Sequence, residues 1–399
     1  MKQRIIANPP LGIYTNAKTH IGHAFFLVLL DVVSRYRRKF KGQESIFPGR
    51  SYNFYGRRGD LLLKDSGSGI NSAEDLEIAN LNTVYSDTVR GMLNLSSLDL
   101  LTDTDKNVGE GVSEDFKELY ESGYIKRING SYFLSPADIK SHSDLQGFIK
   151  GIKLHPSRIE GELERMIREN TSNLIQISKP TGYSLKNPLR GQNIGPLFVL
   201  ANLWDHKYPE SDYTIAGSNS VMTKYIFLRI LCRSALESSP GMDEIIIWPK
   251  IIPEGGISEW DLKEIIKDEY HSDMIRYLLL SSYSESKQKV FLEKNKLKSA
   301  RNFVYLVANM RKPFKGIASS QQKPSESYIK DMDNFDFPKV LAELNQEFRR
   351  ISNKINHYRD NKDWTDSNKE ILGKEYLKAV NMSEPITPST AKLVNDYLR

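Results

Sequence analysis

Two imidazoles three residues apart, with a glycine between them, open a long helical run: His20-Ile21-Gly22-His23 precedes Ala24 to Lys41. Histidines at that spacing on a first helical turn lie near each other. The N–H groups of that turn and the positive end of the helix dipole favour an anion at the same place. Gly22 lets a flat base or a phosphate approach the backbone with no side chain in the way. The chemistry this suits is the handling of nucleotide phosphates. Two solvated histidines at a helix start would give the same letters, so the tetrapeptide has to be judged by its surroundings.

The elements that must position it follow from periodicity. Residues 4 to 7 read as a short buried strand and residues 23 to 41 as an amphipathic helix stopped by Gly42. Strand, loop and helix are the opening of a nucleotide-binding α/β unit. Glu44-Ser-Ile-Phe-Pro-Gly supplies a second strand and its closing turn, which completes a βαβ pattern, and Ser66-Gly-Ser-Gly reads as a loop. Helical periodicity returns from Glu74 to Leu95, and Gly123 is placed to cap a helix C-terminus. Glu244-Ile-Ile-Ile-Trp is a strand and Trp260 to Tyr270 a helix. Beyond residue 285 the pattern is helical; Leu341, Leu344, Phe348, Ile351 and Ile355 form a stripe that buries one face. Gly316 to Ser327 is a polar loop, and Thr387 before Pro388 suits the start of a last helix.

A chain of 399 residues, 39% hydrophobic, can fill the cores of two or three domains. No run approaches the roughly 18 apolar residues of a membrane span, and the opening Met1-Lys-Gln-Arg-Ile-Ile-Ala-Asn-Pro-Pro lacks the apolar core of a signal peptide. The expectation is a soluble cytoplasmic protein with no membrane partner; nothing here bears on oligomeric state. The single cysteine, Cys232, excludes an internal disulfide and a zinc site built from several thiolates, and its setting reads as a buried helical thiol. A formal charge of +6 and a pI near 9.0 allow RNA as a partner without demanding it. The densest basic run, Arg35-Tyr-Arg-Arg-Lys-Phe-Lys, fits either an anion surface or the solvated end of a helix. His142, His155, His206, His271 and His357 lack metal-ligand spacing, so structural or solvated roles are expected and no metal site. Asp103 and Asp105 read as turn residues. No Walker loop, nucleophile elbow or zincin helix occurs.

The stretch Tyr14-Thr-Asn-Ala-Lys-Thr-His-Ile-Gly-His resembles the signature of class I aminoacyl-tRNA synthetases. Tyr14 and Asn16, six and four residues before His20, resemble the methionyl branch of the methionine, leucine and valine subgroup. Asp31-Val-Val-Ser-Arg-Tyr-Arg-Arg resembles the continuation of the same helix. Shorter likenesses follow in order at residues 93–105, 116–126, 175–183, 213–219, 272–280 and 385–393. The resemblance implies an α/β protein: a Rossmann-like parallel-sheet catalytic domain split by a short connective insertion, then an all-α helical bundle. Residues 1–128 and 181–284 would be the nucleotide-binding domain, 129–180 the insertion and 285–399 an anticodon-binding-like domain. The insertion is too short for an editing domain and lacks the cysteines of the methionyl zinc knuckle, so no zinc is expected.

By resemblance, ATP with Mg2+ and an amino acid or related carboxylate are the substrates, and tRNA, approached by the helical region, is the acceptor. Such activation rests on positioning and on stabilising charge at phosphate oxygens. His20 and His23 would contact the phosphates, with Gly22 under the adenine; Gly217 and Asn219 would face the ribose. Ile13, Tyr14, Asn16, Arg50 and Ser51 would line the substrate pocket. The sequence departs from the family in three places. The lysine-rich mobile loop is replaced by Trp248-Pro-Lys-Ile-Ile-Pro-Glu-Gly-Gly-Ile-Ser-Glu, where Lys250 is the one lysine left to substitute. Arg50 and Ser51 follow Pro48-Gly49 where the family places an acid for the α-ammonium group. Asn219 stands where the ribose-facing acid belongs, and can still accept a hydrogen bond. Three readings remain open: an adenylate-forming ligase, a catalytically impaired synthetase paralogue that binds tRNA or a partner protein, and a ligase acting on a non-tRNA acceptor.

Overall fold

Parallel strands need a crossover, and the chain supplies one at once. In the computed structural model β1 (Arg4–Ala7) and β2 (Ile13–Tyr14) precede α1 (Ile21–Lys41), and β3 (Ser45–Ile46) then returns to pair with β1 in parallel. Gly42, at φ +62°, ends α1 where a residue with a side chain would be strained. The structure describes residues 4–7, 13–14, 21–46, 49–52, 93–96, 100–101, 105–139, 142–155, 159–170, 173–179, 185–207, 212–236, 242–248, 250–254, 271–283, 289–293, 296–317 and 323–398. The helices expected at 74–95 and 260–270 lie outside these residues, apart from Leu93, which is helical, and Asn94, which leaves the helix at φ +45°. Contacts divide the chain into two units. The first holds residues 1–19, 37–85 and 97–248; the second holds 20–36, 86–96 and 249–399.

In the first unit β4 (Gly49–Tyr52) and β5 (Leu100–Leu101) join β2 in a small sheet ordered β2-β4-β5. Next come α2 (Lys106–Glu121), the antiparallel hairpin β6 (Ile125–Ile128) and β7 (Ser131–Leu134), α3 (Pro136–Ile139), α4 (His142–Lys150), β8 (Lys153–His155) and α5 (Ile159–Asn170). Asp105 caps α2 by accepting from the Asn107 and Val108 N–H groups, and Gly123 follows its C-cap at φ +81°. The hairpin turns on Asn129 and Gly130, both at positive φ as a two-residue loop requires. The unit continues through β9 (Ile175–Gln176), β10 (Ser178–Lys179), β11 (Asn193–Ile194), α6 (Pro196–Lys207), β12 (Asp212–Ser218), α7 (Asn219–Ala235) and β13 (Met242–Trp248).

The main sheet is parallel and ordered β3-β1-β12-β13-β8. The chain runs outward from β1 in one direction to β3 and resumes on the other side at β12, so the strand order reverses between β1 and β12, the place where such sheets bind ligands at their carboxyl ends. The edge strand β8 comes from inside the span 129–180. Residues 153–155 pair there with Glu244–Ile246. Below the sheet's helices Phe116, Tyr132, Phe198, Trp204 and Tyr225 are buried in one core, where Phe116 makes edge-on ring contacts with Tyr132 and Phe198.

The second unit contains the first part of α1 and everything after Trp248. β14 (Lys250–Pro253) pairs in parallel with β15 (Lys289–Leu292), with α8 (His271–Ser282) between them in sequence. Then come α9 (Lys296–Asn309), α10 (Glu326–Asp333), α11 (Phe337–Asp360), α12 (Asp366–Ser383) and α13 (Pro388–Leu398). The stripe of α11 is buried as its spacing predicts, from Leu341 to Ile355. Contacts place α8, with all that follows Trp248, in the second unit. The physical reason is α8, whose charged residues are committed to α1 and to the last helix.

Candidate functional site

Gly22 and His23 fall in the first turn of α1, while His20 lies outside the described residues. That turn carries no acidic side chain of its own, and the last turn carries Arg38, Lys39 and Lys41. The helix therefore presents its positive end without an internal counter-charge and compensates its negative end with cations.

The substrate-pocket candidates share a sheet. Ile13 is registered with Ser51 and Tyr14 with Tyr52, and Arg50 is registered with Leu101 on the other side of β4. Asn16 lies outside the described residues. Gly217 stands near the end of β12, in register with Ile247, and Asn219 is the first residue of α7, so both occupy the carboxyl end of the sheet beside its reversal point. Lys250 belongs to the second unit. It opens β14 in register with Lys289, and the Glu254 N–H donates to the Leu292 carbonyl. The part of the lysine-loop region that is described, 250–254, is thus a strand and its turn; residues 255–270 lie outside.

Two buried ion networks were not anticipated. In the first unit the Arg37 guanidinium donates to Thr214 Oγ1 at 2.8 Å and to the Glu244 carboxylate, which also accepts from Thr214 at 2.9 Å. His155 Nε2 stands 3.4 Å and Lys153 Nζ 3.7 Å from Glu244 Oε1. Burial works to raise the Glu244 pKa, but hydrogen bonds from His155 and Arg37 and the arginine charge hold it well below the usual carboxylate range. Thr214 and Glu244 are paired near the amino ends of their strands, away from Gly217, so the network anchors the end of α1 to the sheet and does no site chemistry.

In the second unit Arg276 and Asp31, both fully buried, pair at 2.7 Å. Asp31 also accepts from Arg35 Nε at 2.7 Å and from the backbone N–H and hydroxyl of Ser96 at 2.8 and 2.5 Å. Burial works to raise the Asp31 pKa, but the two arginine charges and Ser96 hold it below the usual range. Arg276 donates to the carbonyls of Pro385 and Ile386, each at 2.7 Å, and one turn earlier Asp273 accepts from the Thr390 N–H and hydroxyl, both at 2.6 Å. The basic run at 35–41 is corrected accordingly: Arg35 and Arg37 are consumed by buried carboxylates, and Lys39 and Lys41 are exposed. A signal existed in the sequence. Asp31 interrupts the apolar run Phe25–Val33, and Arg276 interrupts Met274–Leu280; charges in such runs are seldom buried without a partner.

Two of the scattered histidines, His155 and His206, each stand beside a carboxylate. His206 Nε2 bonds Asp115 at 2.8 Å, and among the described residues no three metal-binding side chains gather. Cys232 is buried in α7, and burial pushes its thiol up to about 12. No helix among the described residues is long and apolar enough to cross a membrane.

Residues 10–153 match the family described as tRNA synthetases class I (M), a span that contains the tetrapeptide, β2, β4 and β5 and ends at Lys153, the first residue of β8. A leucine–tRNA ligase of Metallosphaera sedula is 26% identical over 243 residues. Over residues 10–153 the chain is similar to the class I tRNA synthetase family. That alignment covers 54% of this chain and 23% of the ligase, so the chain spans about a quarter of this curated relative. Two structures of Mycobacterium tuberculosis methionyl-tRNA synthetase, each with methionyl-adenylate, superpose with a TM-score of 0.69 at 12% and 13% identity, covering 99% of this chain and 94% of theirs. They share its fold: a Rossmann-type parallel sheet and a helical domain.

The chain also carries a groove of about 500 Å³ between α9 and α11. Asn302, Tyr305, Asn309 and Ser352 offer hydrogen bonds and a ring there, with Lys312 and Arg359 as cations. Hydrogen-bonding side chains, a ring and cations together have the chemistry to meet an unstacked base and a phosphate.

Proposed function

We propose that this chain uses MgATP to activate an amino acid or a related carboxylate and passes the acyl group to tRNA. The carboxylate oxygen attacks the α-phosphorus, the α–β bridging bond breaks, and pyrophosphate leaves. A terminal ribose hydroxyl then attacks the acyl carbon and AMP leaves. The observation that carries this reading is the placement of Gly22 and His23 in the first turn of α1, inside the span that matches the family. His20 and His23 stabilise charge on the phosphates, Gly22 admits the adenine, Gly217 and Asn219 bind the ribose, and Lys250 supplies part of the charge the missing loop would give. Magnesium arrives on the triphosphate, as it commonly does in nucleotide sites. The groove between α9 and α11 receives tRNA.

A second reading has its own support. Lys250 sits in a laddered strand rather than in a lysine-rich loop, and Arg50 shares a sheet with Ile13 and Tyr14. A chain that keeps RNA recognition but activates poorly, or one that takes a carboxylate lacking an ammonium group for a different acceptor, would show both features. ATP–pyrophosphate exchange with each amino acid and with simple carboxylates decides. The expected result is exchange stimulated by one of them and reduced at least about 10²-fold by a His20→Ala, His23→Ala double variant. No exchange from folded protein that binds tRNA would replace activation with the impaired-paralogue reading.

A further inference from the structure

α8 grips one chain reversal with two opposite charges. Arg276 donates to the carbonyls of Pro385 and Ile386, just beyond the C-terminal end of α12, and Asp273 accepts at the first turn of α13. Each charge has the sign that complements its helix end. The Ser389 N–H also approaches Asp273 at 3.3 Å, and the hydroxyls of Ser389 and Ser272 meet at 3.0 Å. Asp31 joins α1 to this clamp through Arg276, and Arg35, one turn on, bonds Asp31, the Asn94 carbonyl at 2.9 Å and Glu384 at 3.4 Å. Tyr36 adds a bond to Asp333 at 2.8 Å. Asp31 has four donors on its two oxygens, so its orientation is fully determined.

We infer that Asp31 and Arg276 are positioning residues: they fix the tilt of α1 and thereby aim its first turn at the nucleotide. The nucleotide half of this inference rests on the function proposed above. His23 lies eight residues before Asp31, about 12 Å along a helix. A tilt of about 5° at Asp31 moves the first turn by about 1 Å, and a misplacement of that size typically costs about 10²-fold in rate. The arrangement makes the entry to the last helix part of the mounting of α1, since Arg276 bonds both Asp31 and the carbonyls of Pro385 and Ile386.

The test compares the wild-type chain with Arg276→Lys, which keeps the charge but cannot form the fork, and with Arg35→Gln, a milder change at a partly exposed residue. Hydrogen exchange is followed in α1 (21–36), α13 (388–398) and, as a fold control, α2 (106–121); ATP exchange kinetics are measured alongside. Positioning predicts at least tenfold faster amide exchange in α1 and α13 for Arg276→Lys, an unchanged α2, and a kcat that falls more than KM rises. Arg35→Gln should show the same pattern to a lesser degree, and it decides the matter if Arg276→Lys does not fold. Loosening of α13 alone, with α1 amides within twofold of wild type, overturns the inference. If the wild-type chain shows no ATP-dependent activity, the proposed function fails, while the amide exchange of α1 still decides whether Asp31 and Arg276 hold it.

Discussion

Replacing Arg37 with Met should destabilise the first unit far more than loss of a surface arginine. The side chains of Arg37 and Glu244 are 11% and 5% exposed, so the variant leaves a carboxylate in the interior. Glu244 would retain Thr214 at 2.9 Å, with His155 at 3.4 Å and the largely exposed Lys153 at 3.7 Å. Breaking a buried pair from one side costs about 3–5 kcal/mol, and these remaining partners place the expected loss near 3 kcal/mol. With a urea dependence of about 3 kcal/mol per molar, the midpoint should fall by about 1 M. The sign with pH is also fixed. The Glu244 pKa is depressed in the folded state, so its stabilisation is present above the unfolded value of about 4.3 and is lost as pH falls through the lower folded value. Without Arg37 the folded value rises, so the penalty of the variant should shrink between pH 7 and pH 4. Arg37→Met combined with Glu244→Leu should recover to within about 1 kcal/mol of wild type, because a buried pair and an apolar replacement are often equivalent. Urea titrations at pH 7 and pH 4, followed by the fluorescence of buried Trp204, measure all three. A loss below about 1 kcal/mol, or a double variant no better than the single one, would refute the argument.

Other outcomes follow from the same packing. Cys232, buried and with its thiol pushed up to about 12, should resist a thiol reagent in the native protein at pH 8 and react fully in urea. Burial works to lower the His206 pKa, but the bond to Asp115 and its charge raise it, so their contribution is complete below the unfolded value of about 6.5 and fades as pH rises through the folded one. Asp115→Asn should therefore cost roughly 1.5–3 kcal/mol at pH 6 and less at pH 9, read from thermal melts; a cost that grows with pH would contradict the assignment. Gly111→Ala would place a Cβ 2.3 Å from the His206 ring, which Asp115 holds, so calorimetry should show a loss of about 1–3 kcal/mol.

The sequence by itself determined the local elements and the likeness to a family. The helix stop at Gly42, the hairpin and cap around Gly123, the strand at 244–248, the stripe of α11 and the start of α13 at Pro388 all lay in residue type and spacing, because backbone conformation and facial burial are local demands. The tetrapeptide and its flank likewise sufficed for the resemblance to class I synthetases, since that resemblance rests on particular residues at consecutive positions. Partnership over long separations was decided only by the tertiary structure. Asp31 with Arg276, Arg37 with Glu244 and residues 153–155 with the main sheet each join segments more than 80 residues apart. A charge within an apolar run announces that it needs a partner, but not which one. The partner is set by which segments the sheet order and helix packing bring into hydrogen-bond range, and that is a property of the folded chain as a whole.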